Sequence, residues 1–155
     1  MKDLMTIASY ICGRYEAETG ERIDEMKLHK LLYFAQREQM IRTGEALFEG
    51  DFYGWRFGPV VPAIRDAYRN QNFQPVTDED LGEDKAVLDA VFENYAGRDS
   101  WSLSRLTHGE ICWKKSRKGI APNESSNNLI PLADIGLDAR RMRERRALLD
   151  LNNRL

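Results

Sequence analysis

Apolar residues recur at helical spacing in two long stretches near the start of the chain. The first covers residues 3–18, with Asp3 as its candidate N-cap. The second covers residues 24–43 and has Asp24 in the capping position. Its apolar stripe is wide enough to pack on more than one side. We therefore expect the second helix to be the central element of the fold.

The stretch from Phe48 to Tyr68 departs from this pattern, because it combines glycines and prolines with large aromatic side chains. Partial alternation over residues 52–57, together with a turn-like Glu49-Gly50-Asp51, predicts a short β-hairpin. A third helix is expected to begin at Pro59 or Pro62, since proline suits the first helical turn. A segment that is both stiff and apolar is either a structural keystone or a recognition surface.

The rest of the chain is predicted to form further helices joined by polar loops. These helices cover approximately residues 84–95, 100–106, 107–119 and 138–151. No apolar periodicity follows Ile120, so we expect a surface loop over residues 120–137 before an Arg-rich C-terminal helix within 138–155. The pattern predicts a single mainly α domain over residues 1–155: a compact orthogonal arrangement of about six helices with one short β-hairpin.

Composition agrees with one globular domain. The chain has 155 residues and 17.9 kDa, with 42% apolar and 31% charged residues. No apolar run approaches the length of a membrane-spanning helix, and the N-terminus lacks a signal-peptide cleavage pattern. Cys12 and Cys112 fall at apolar positions of predicted helices. Reduced core cysteines are typical of a cytoplasmic protein, which is the expected location.

The net charge of −2 conceals an asymmetry between the two ends of the chain. Residues 1–110 hold 13 Lys and Arg against 20 Asp and Glu, whereas residues 111–155 hold 10 against 5. Such a distribution predicts internal charge pairing or contact with an anionic partner. The basic segment includes five closely spaced arginines: Arg140, Arg141, Arg143, Arg145 and Arg146. Nucleic-acid binding through this helix is the alternative function, although a pI of about 5.8 does not favour it.

No arrangement of residues predicts an enzyme, and we expect none. His108 and Glu110 flank a glycine and could form a general acid–base pair. The favoured interpretation is structural: Thr107 caps a helix whose first turn contains Glu110. His29 lies within the second helix and is expected to make a packing or partner contact. No Cys or His recurs at metal-ligand spacing and no phosphate-binding glycine loop is present, so no metal or cofactor is predicted.

Three blocks of sequence, in this order, resemble the Panacea domain found in phage-associated proteins and in SocA-type antitoxins. They are MKLHKLLYFAQ at 26–36, GWRFGPVVPAIRDAY at 54–68 and LSRLTHGEICWKKSR at 103–117. The resemblance covers about residues 5–117. The chain differs from the usual pattern at His29, where glutamine is common, and at Ile111-Cys112, where prolines are common. Its Arg-rich end also differs from the aliphatic and aromatic C-terminus often seen in the family.

The resemblance implies a toxin–antitoxin system in which this chain neutralises a toxin encoded beside it by direct protein contact, without enzymatic activity or a cofactor. The matching positions are Lys27, Leu28, Lys30, Leu31, Leu32, Tyr33, Trp55, Gly58, Pro59, Val60, Leu106, Thr107, His108 and Trp113.

An exposed groove is the predicted partner-binding surface, since Tyr, Trp and Arg dominate the energetics of protein interfaces. The candidate groove residues are Tyr33, Tyr53, Trp55, Arg56, His108 and Trp113. Trp55 and the Gly-Pro-Val turn are expected to fix the fold as well. Specificity is expected from the flank between Glu49 and Tyr53 and from the Arg-rich helix as a second contact.

Overall fold

The computed structural model describes residues 1–154 and is mainly α-helical, as predicted. The helices are Leu4–Thr19 (α1), Glu25–Thr43 (α2), Pro62–Arg69 (α3), Asp78–Leu81 (α4), Lys85–Val91 (α5), Ser100–His108 (α6), Ile111–Ser116 (α7) and Leu132–Asn153 (α8). A 3-10 turn at Gly82–Asp84 joins α4 to α5, and a π-helical turn at Phe92–Ala96 extends α5. The strands are Phe52–Trp55 (β1), Gly58–Val60 (β2) and Leu129–Ile130 (β3).

The second helix is central, as its wide apolar stripe predicts. Every residue from Lys27 to Glu38 is buried, and α2 packs against α1, α5, α6, α8 and β2. The Asp24 side chain accepts a hydrogen bond of 2.8 Å from the Lys27 amide, which confirms the predicted cap. Asp3 precedes α1 but makes no side-chain cap, so that part of the prediction is wrong. The hydrophobic core therefore forms around a helix that solvent reaches only at its ends.

The sheet contains three antiparallel strands in the order β2-β1-β3, rather than the predicted hairpin alone. Its hairpin turn lies at Arg56 and Phe57, between β1 and β2, and not at Glu49-Gly50-Asp51. Phe48, just before the predicted turn, instead makes a parallel bridge with Lys2. Glu49-Gly50-Asp51 therefore lies in an irregular connection, and the β-turn follows at Arg56 and Phe57.

The loop predicted over residues 120–137 is shorter than expected. It contains β3, which pairs Ile130 with Phe52, and α8 begins at Leu132 instead of 138. A strand of two residues carries no alternation that sequence analysis could detect, and its partner is distant along the chain. Pro131 occupies the position before α8, where its missing amide costs no helical hydrogen bond.

A buried amide fixes the chain where it leaves α2 for the hairpin. Gln36 donates from Nε2 to the Phe48 carbonyl at 3.0 Å, and its Oε1 accepts from the Leu47 amide at 2.8 Å. The Phe48 amide shares the same oxygen at 3.3 Å. These bonds satisfy backbone groups that would otherwise be buried without partners.

Both cysteines carry free thiols. Cys112 is buried and Cys12 is half-buried, so each contributes to the core as its apolar position predicts. Burial raises the pKa of the Cys12 thiol to about 12, which keeps it protonated. Within residues 1–154, none of the helices has the length and apolar character required to span a bilayer.

Candidate functional site

Side chains from the helical core hold the backbone carbonyls of the β-hairpin. Lys30 on α2 donates from Nζ to the Pro59 carbonyl at 3.0 Å. Ser104 on α6 donates from Oγ to the Phe57 carbonyl at 2.6 Å. Both donors are almost fully buried, which makes these bonds strong constraints on the position of the turn.

Two further donors come from α7 and the residue that follows it. Trp113 Nε1 donates to the Trp55 carbonyl at 2.9 Å, and Arg117 Nη1 donates to the Gly54 carbonyl at 3.2 Å. Both strands and the turn are thereby attached to helices through side chains. We call these four donors the hairpin clamp: Lys30, Ser104, Trp113 and Arg117.

Two glycines allow the helices to approach the hairpin closely. A Cβ atom at Gly54 would lie 1.9 Å from Ser116 Oγ. At Gly58, a Cβ atom would lie 2.5 Å from Thr107 Oγ1 and 2.6 Å from Lys30 Cε. Gly58 also has a φ of +117°, a conformation that L side chains rarely adopt. Gly54 is therefore required by contact distance, and Gly58 by both contact distance and backbone conformation.

His108 and Trp113 form a stacked pair beside the hairpin turn. Their ring centroids are 4.1 Å apart with an interplanar angle of 13°. Ser104 Oγ lies 3.5 Å from His108 Nε2, while its proton is donated to Phe57. Burial lowers the pKa of His108, and the positive charge of Lys30 lowers it further. The stack is half-exposed and supports the clamp residue Trp113.

An open groove of about 830 Å³ lies between the hairpin, the first turns of α2, α3 and the loop before β3. The lining residues share a mixed aromatic, aliphatic and cationic character: Glu25, Met26, His29, Lys30, Trp55, Arg56, Phe57, Val60, Pro62, Arg65, Ser125, Ser126 and Asn127. Its volume falls in the range of roughly 300–1,000 Å³ typical of ligand-binding clefts. We call this feature the hairpin groove.

Two arginines stack on the aromatic side chains of the hairpin groove. The guanidinium carbon of Arg65 lies 4.9 Å from the Trp55 ring centroid, and that of Arg56 lies 4.9 Å from the Phe57 ring centroid. Trp55 is fixed further because its Nε1 donates to Asn127 Oδ1 at 2.8 Å. Stacking holds each guanidinium plane in place and leaves its edge free to donate hydrogen bonds.

His29 acts as a structural connector in the groove wall. Its Nδ1 accepts a hydrogen bond from the Val61 amide at 3.2 Å, which places the ring proton on Nε2, 3.1 Å from Glu25 Oε2. Burial lowers the pKa of His29, so the neutral ring is favoured. The Arg65 Nε lies 3.2 Å from the same carboxylate without hydrogen-bond alignment, so that contact is ionic.

Lys30 is an ammonium group buried at the bottom of this groove. It is 1% exposed, and burial lowers its pKa from 10.5 to about 7. Its hydrogen bond to Pro59 uses one of three available donors. Burial therefore disfavours the charged form of this clamp donor, which is only partly protonated near pH 7.

Tyr33 does not line a partner-binding surface, and its assignment as a contact residue is corrected. It is fully buried, and its hydroxyl donates to Glu110 Oε1 at 2.8 Å. The same carboxylate oxygen accepts from Arg37 Nη1 at 2.6 Å. The helical spacing correctly predicts that Tyr33 lies on α2. It does not reveal that α2 is surrounded by other elements at this position, so Tyr33 is inaccessible to a partner. Its role is to stabilise the buried charge pair.

Thr107 does not cap α7, contrary to the sequence interpretation. It lies inside α6 and donates from Oγ1 to the Ser104 carbonyl at 2.7 Å. The cap comes from α8, where Asp138 accepts from the amides of Ile111 at 2.8 Å and Cys112 at 2.9 Å. A cap supplied from another helix leaves no local sequence signal, which is why the pattern missed it.

Three of the five clustered arginines, Arg141, Arg143 and Arg146, make contacts within the chain, and the contacts of Arg143 and Arg146 are the closest. Arg146 donates to both carboxylate oxygens of the buried Glu38, at 2.8 and 2.9 Å. Although burial opposes the change, these bonds and those from Arg42 hold the pKa of Glu38 below its usual value. Arg143 donates to the Ile41 and Met40 carbonyls at the end of α2, at 2.9 and 3.0 Å.

The other arginines of the cluster face outward to different degrees. Arg141 lies 3.3 Å from Glu110 and 3.4 Å from Asp138, while more than half of its side chain is exposed. Arg140 and Arg145 are exposed. Internal charge pairing, one of the two explanations for the basic segment, is therefore confirmed for part of the cluster.

Of the predicted groove residues, Trp55 and Arg56 line the hairpin groove. Tyr53 is half-buried on β1 and shares a strand face with Trp55. His108 and Trp113 support the hairpin from the helical side. The sequence analysis did not select Arg65 or Phe57 as partner contacts. Arg65 lies on α3 and Phe57 in the hairpin turn, and no sequence pattern shows that these two elements border the same groove.

Comparison with known proteins assigns a family to this arrangement. Residues 28–114 match the family described as "Antitoxin SocA-like, Panacea domain". This chain belongs to that family. The matched range contains the hairpin and three of the four clamp donors, Lys30, Ser104 and Trp113, whereas Arg117 and α8 follow it. The resemblance inferred from the three sequence blocks is confirmed.

A curated relative gives a shorter match. Antitoxin SocA of Caulobacter vibrioides (strain NA1000 / CB15N) is 43% identical over 42 residues, which are 27% of this chain and 22% of that protein. The match thus spans about a fifth of the relative's length. No solved structure matches this chain.

Proposed function

We propose that this chain is an antitoxin that neutralises a toxin encoded beside it by direct protein contact. The observation that carries the proposal is the family match over residues 28–114, which includes the β-hairpin and most of its clamp. The hairpin groove supports it, because exposed aromatic and arginine side chains on a fixed backbone are suited to protein recognition.

The proposed activity is binding rather than catalysis. His108 and Glu110 have separate partners: His108 stacks on Trp113, whereas Glu110 is bonded to Arg37 and Tyr33. Each residue has a structural role in its own network, which favours the non-catalytic interpretation of this pair.

The test begins with the genes on either side of this one. Each neighbour is expressed alone from an inducible promoter, and one of them is expected to arrest growth. Co-expression of this chain should restore growth, and the two purified proteins should co-elute as a complex. A gene copy with an early stop codon controls for effects of the transcript. Absence of toxicity from both neighbours, or rescue without a complex, would contradict the proposal.

Nucleic-acid binding through α8 remains the alternative prediction. The contacts of Arg143 and Arg146 within the chain leave Arg140, Arg145 and the partly paired Arg141 as exposed charges for such a function. Phosphate contacts predict an affinity for DNA that falls steeply as salt concentration rises.

A further inference from the structure

The hairpin groove carries more positive charge than its lining can neutralise. Its permanently charged cations are Arg56 and Arg65, Lys30 adds a charge only below about pH 7, and its carboxylate is Glu25. Glu25 is already paired with Arg65 at 3.2 Å and lies 3.1 Å from the His29 ring. An anionic group is therefore the complementary occupant of this groove.

Arg56 is the cation best placed to receive that group. It is exposed at the hairpin turn, and its guanidinium is stacked on Phe57. Its backbone bonds to His108, but among residues 1–154 no side-chain hydrogen bond or ion pair engages its guanidinium. A stacked guanidinium offers a planar set of donors that matches a carboxylate in two-point geometry. The clamp bond from Ser104 to the Phe57 carbonyl fixes the backbone beside it.

The exposed apolar surface next to Arg56 indicates that the occupant also carries a large apolar side chain. Phe57 is 39% exposed and packs edge-on against Trp101, which is 55% exposed. Trp55 and Val60 continue the apolar lining into the groove. When a partner side chain covers exposed aromatic surface of this kind, the removal of that surface from water stabilises the complex.

We propose that the hairpin groove binds an acidic segment of the toxin, with a carboxylate on Arg56 and a neighbouring large apolar side chain against Phe57 and Trp55. The inference rests on the proposed antitoxin function and assigns its contact surface. A polyanion is the less suitable occupant, because residues 1–110, which supply most of the groove lining, carry 20 acidic against 13 basic residues. A short segment with one or two carboxylates avoids most of that repulsion.

The first test measures the affinity of the purified toxin for charge variants of this chain. Arg56→Glu should weaken binding about 30-fold or more, and Arg56→Lys should weaken it less, because lysine keeps the charge without the planar donor set. Lys118→Glu is the matched control, since it makes the same change in net charge at an exposed position outside the groove lining. It should retain the affinity of the original chain.

The second test identifies the bound segment. A photo-crosslinking phenylalanine analogue at position 57 should attach to a toxin segment that contains Asp or Glu beside a large apolar residue. The same analogue at position 118 should attach to no such segment. Changing the acidic residue of that segment to its amide should reproduce the loss seen with Arg56→Glu.

The outcomes separate this inference from the antitoxin proposal. Neutralisation that persists with full affinity in Arg56→Glu, or a cross-link to a segment without an acidic residue, would overturn the groove assignment and leave the antitoxin function intact. Failure of the original chain to neutralise either neighbour would remove both. Binding of the groove to a DNA duplex in place of the toxin, lost in Arg56→Glu, would also overturn the assignment.

Discussion

The β-hairpin and helix α8 are both attached to the helical core, but by opposite chemical arrangements. The hairpin is attached through its backbone carbonyls, which accept hydrogen bonds from the side chains of Lys30, Ser104, Trp113 and Arg117. Attachment of α8 uses its own side chains, as Arg146 binds Glu38 and Arg143 binds the carbonyls that end α2. The hairpin can therefore exchange its exposed side chains without losing its position, whereas exchange of Arg143 or Arg146 removes the bonds that attach α8.

This difference bears on where a variable recognition surface can exist. A turn whose backbone is fixed from behind presents Arg56 and Phe57 on a rigid support, and rigid support lowers the entropic cost of binding. The donors of Lys30, Ser104 and Trp113 lie inside the family match, and α8 lies outside it. The hairpin framework thus lies within the family match, whereas the α8 attachment lies outside it.

The largest expected effect comes from Gly58→Ala. A Cβ atom there would collide with Thr107 Oγ1 and Lys30 Cε, and the positive φ adds backbone strain. The free energy of unfolding should fall by about 2–4 kcal/mol. Urea denaturation measures this change. Gly13→Ala is the control: it meets no atom within 4 Å inside α1 and should raise stability by about 0.5–1 kcal/mol. Equal effects of the two substitutions would contradict the close-approach explanation.

A second prediction concerns the pH dependence of the clamp. Because burial lowers the pKa of Lys30 to about 7, the native state releases a proton that the unfolded chain retains up to about pH 10. The unfolded state then binds more protons, so stability should rise by about 1.5 kcal/mol between about pH 7 and 8.5. Lys30→Met should remove this rise. Denaturation midpoints across that interval test it, and an unchanged slope in the variant would contradict the assignment.

The pH interval is chosen to isolate Lys30 from the other shifted groups. His29 and His108 have lowered pKa values, so their native forms lose stability as pH falls below about 6.5. Burial raises the pKa of both Cys12 and Cys112, and their ionisation in the unfolded chain lowers stability increasingly as pH approaches and exceeds about 8.5. Between these limits, the change in stability with pH arises mainly from the protonation of Lys30.

A smaller effect is expected from the α8 attachment. Arg146→Ala removes two hydrogen bonds to Glu38, but Arg42 still donates to that carboxylate at 3.0 Å. Stability should fall by about 1 kcal/mol, because the arginine is partly exposed and its bonds are screened by solvent. Arg145→Ala, at an exposed position of the same helix, should change stability by less than about 0.5 kcal/mol. Thermal denaturation of both variants distinguishes a specific bond from general helix effects.

Sequence analysis succeeded where the determining interactions are local. The central role of α2 and the cap at Asp24 follow from spacing and from one residue type. It failed where a partner arrives from elsewhere in the chain. The pairing of β3 with β1 and the capping of α7 by Asp138 both join elements that the sequence separates widely.

In the candidate site too, local features were predicted correctly and contacts with distant parts of the chain were not. Trp55 and Arg56 could be selected by residue type, since aromatic and arginine side chains in a turn are typical of binding surfaces. Tyr33 is the same kind of residue, yet it is buried, with its ring edge-on against Phe34 and Phe52 and its hydroxyl bonded to Glu110. Residue type therefore selects candidates, and three-dimensional packing decides which of them a partner can reach.

The most direct test compares neutralisation by two sets of surface variants. One set alters the hairpin turn, Arg56→Glu with Phe57→Ser, and the other alters α8, Arg140→Glu with Arg145→Glu. All four residues are exposed, and circular dichroism with thermal denaturation confirms that each variant remains folded. Growth rescue against the neighbouring toxin should be lost with the hairpin set and kept with the α8 set. Rescue that survives the hairpin changes and fails with the α8 changes would contradict the account.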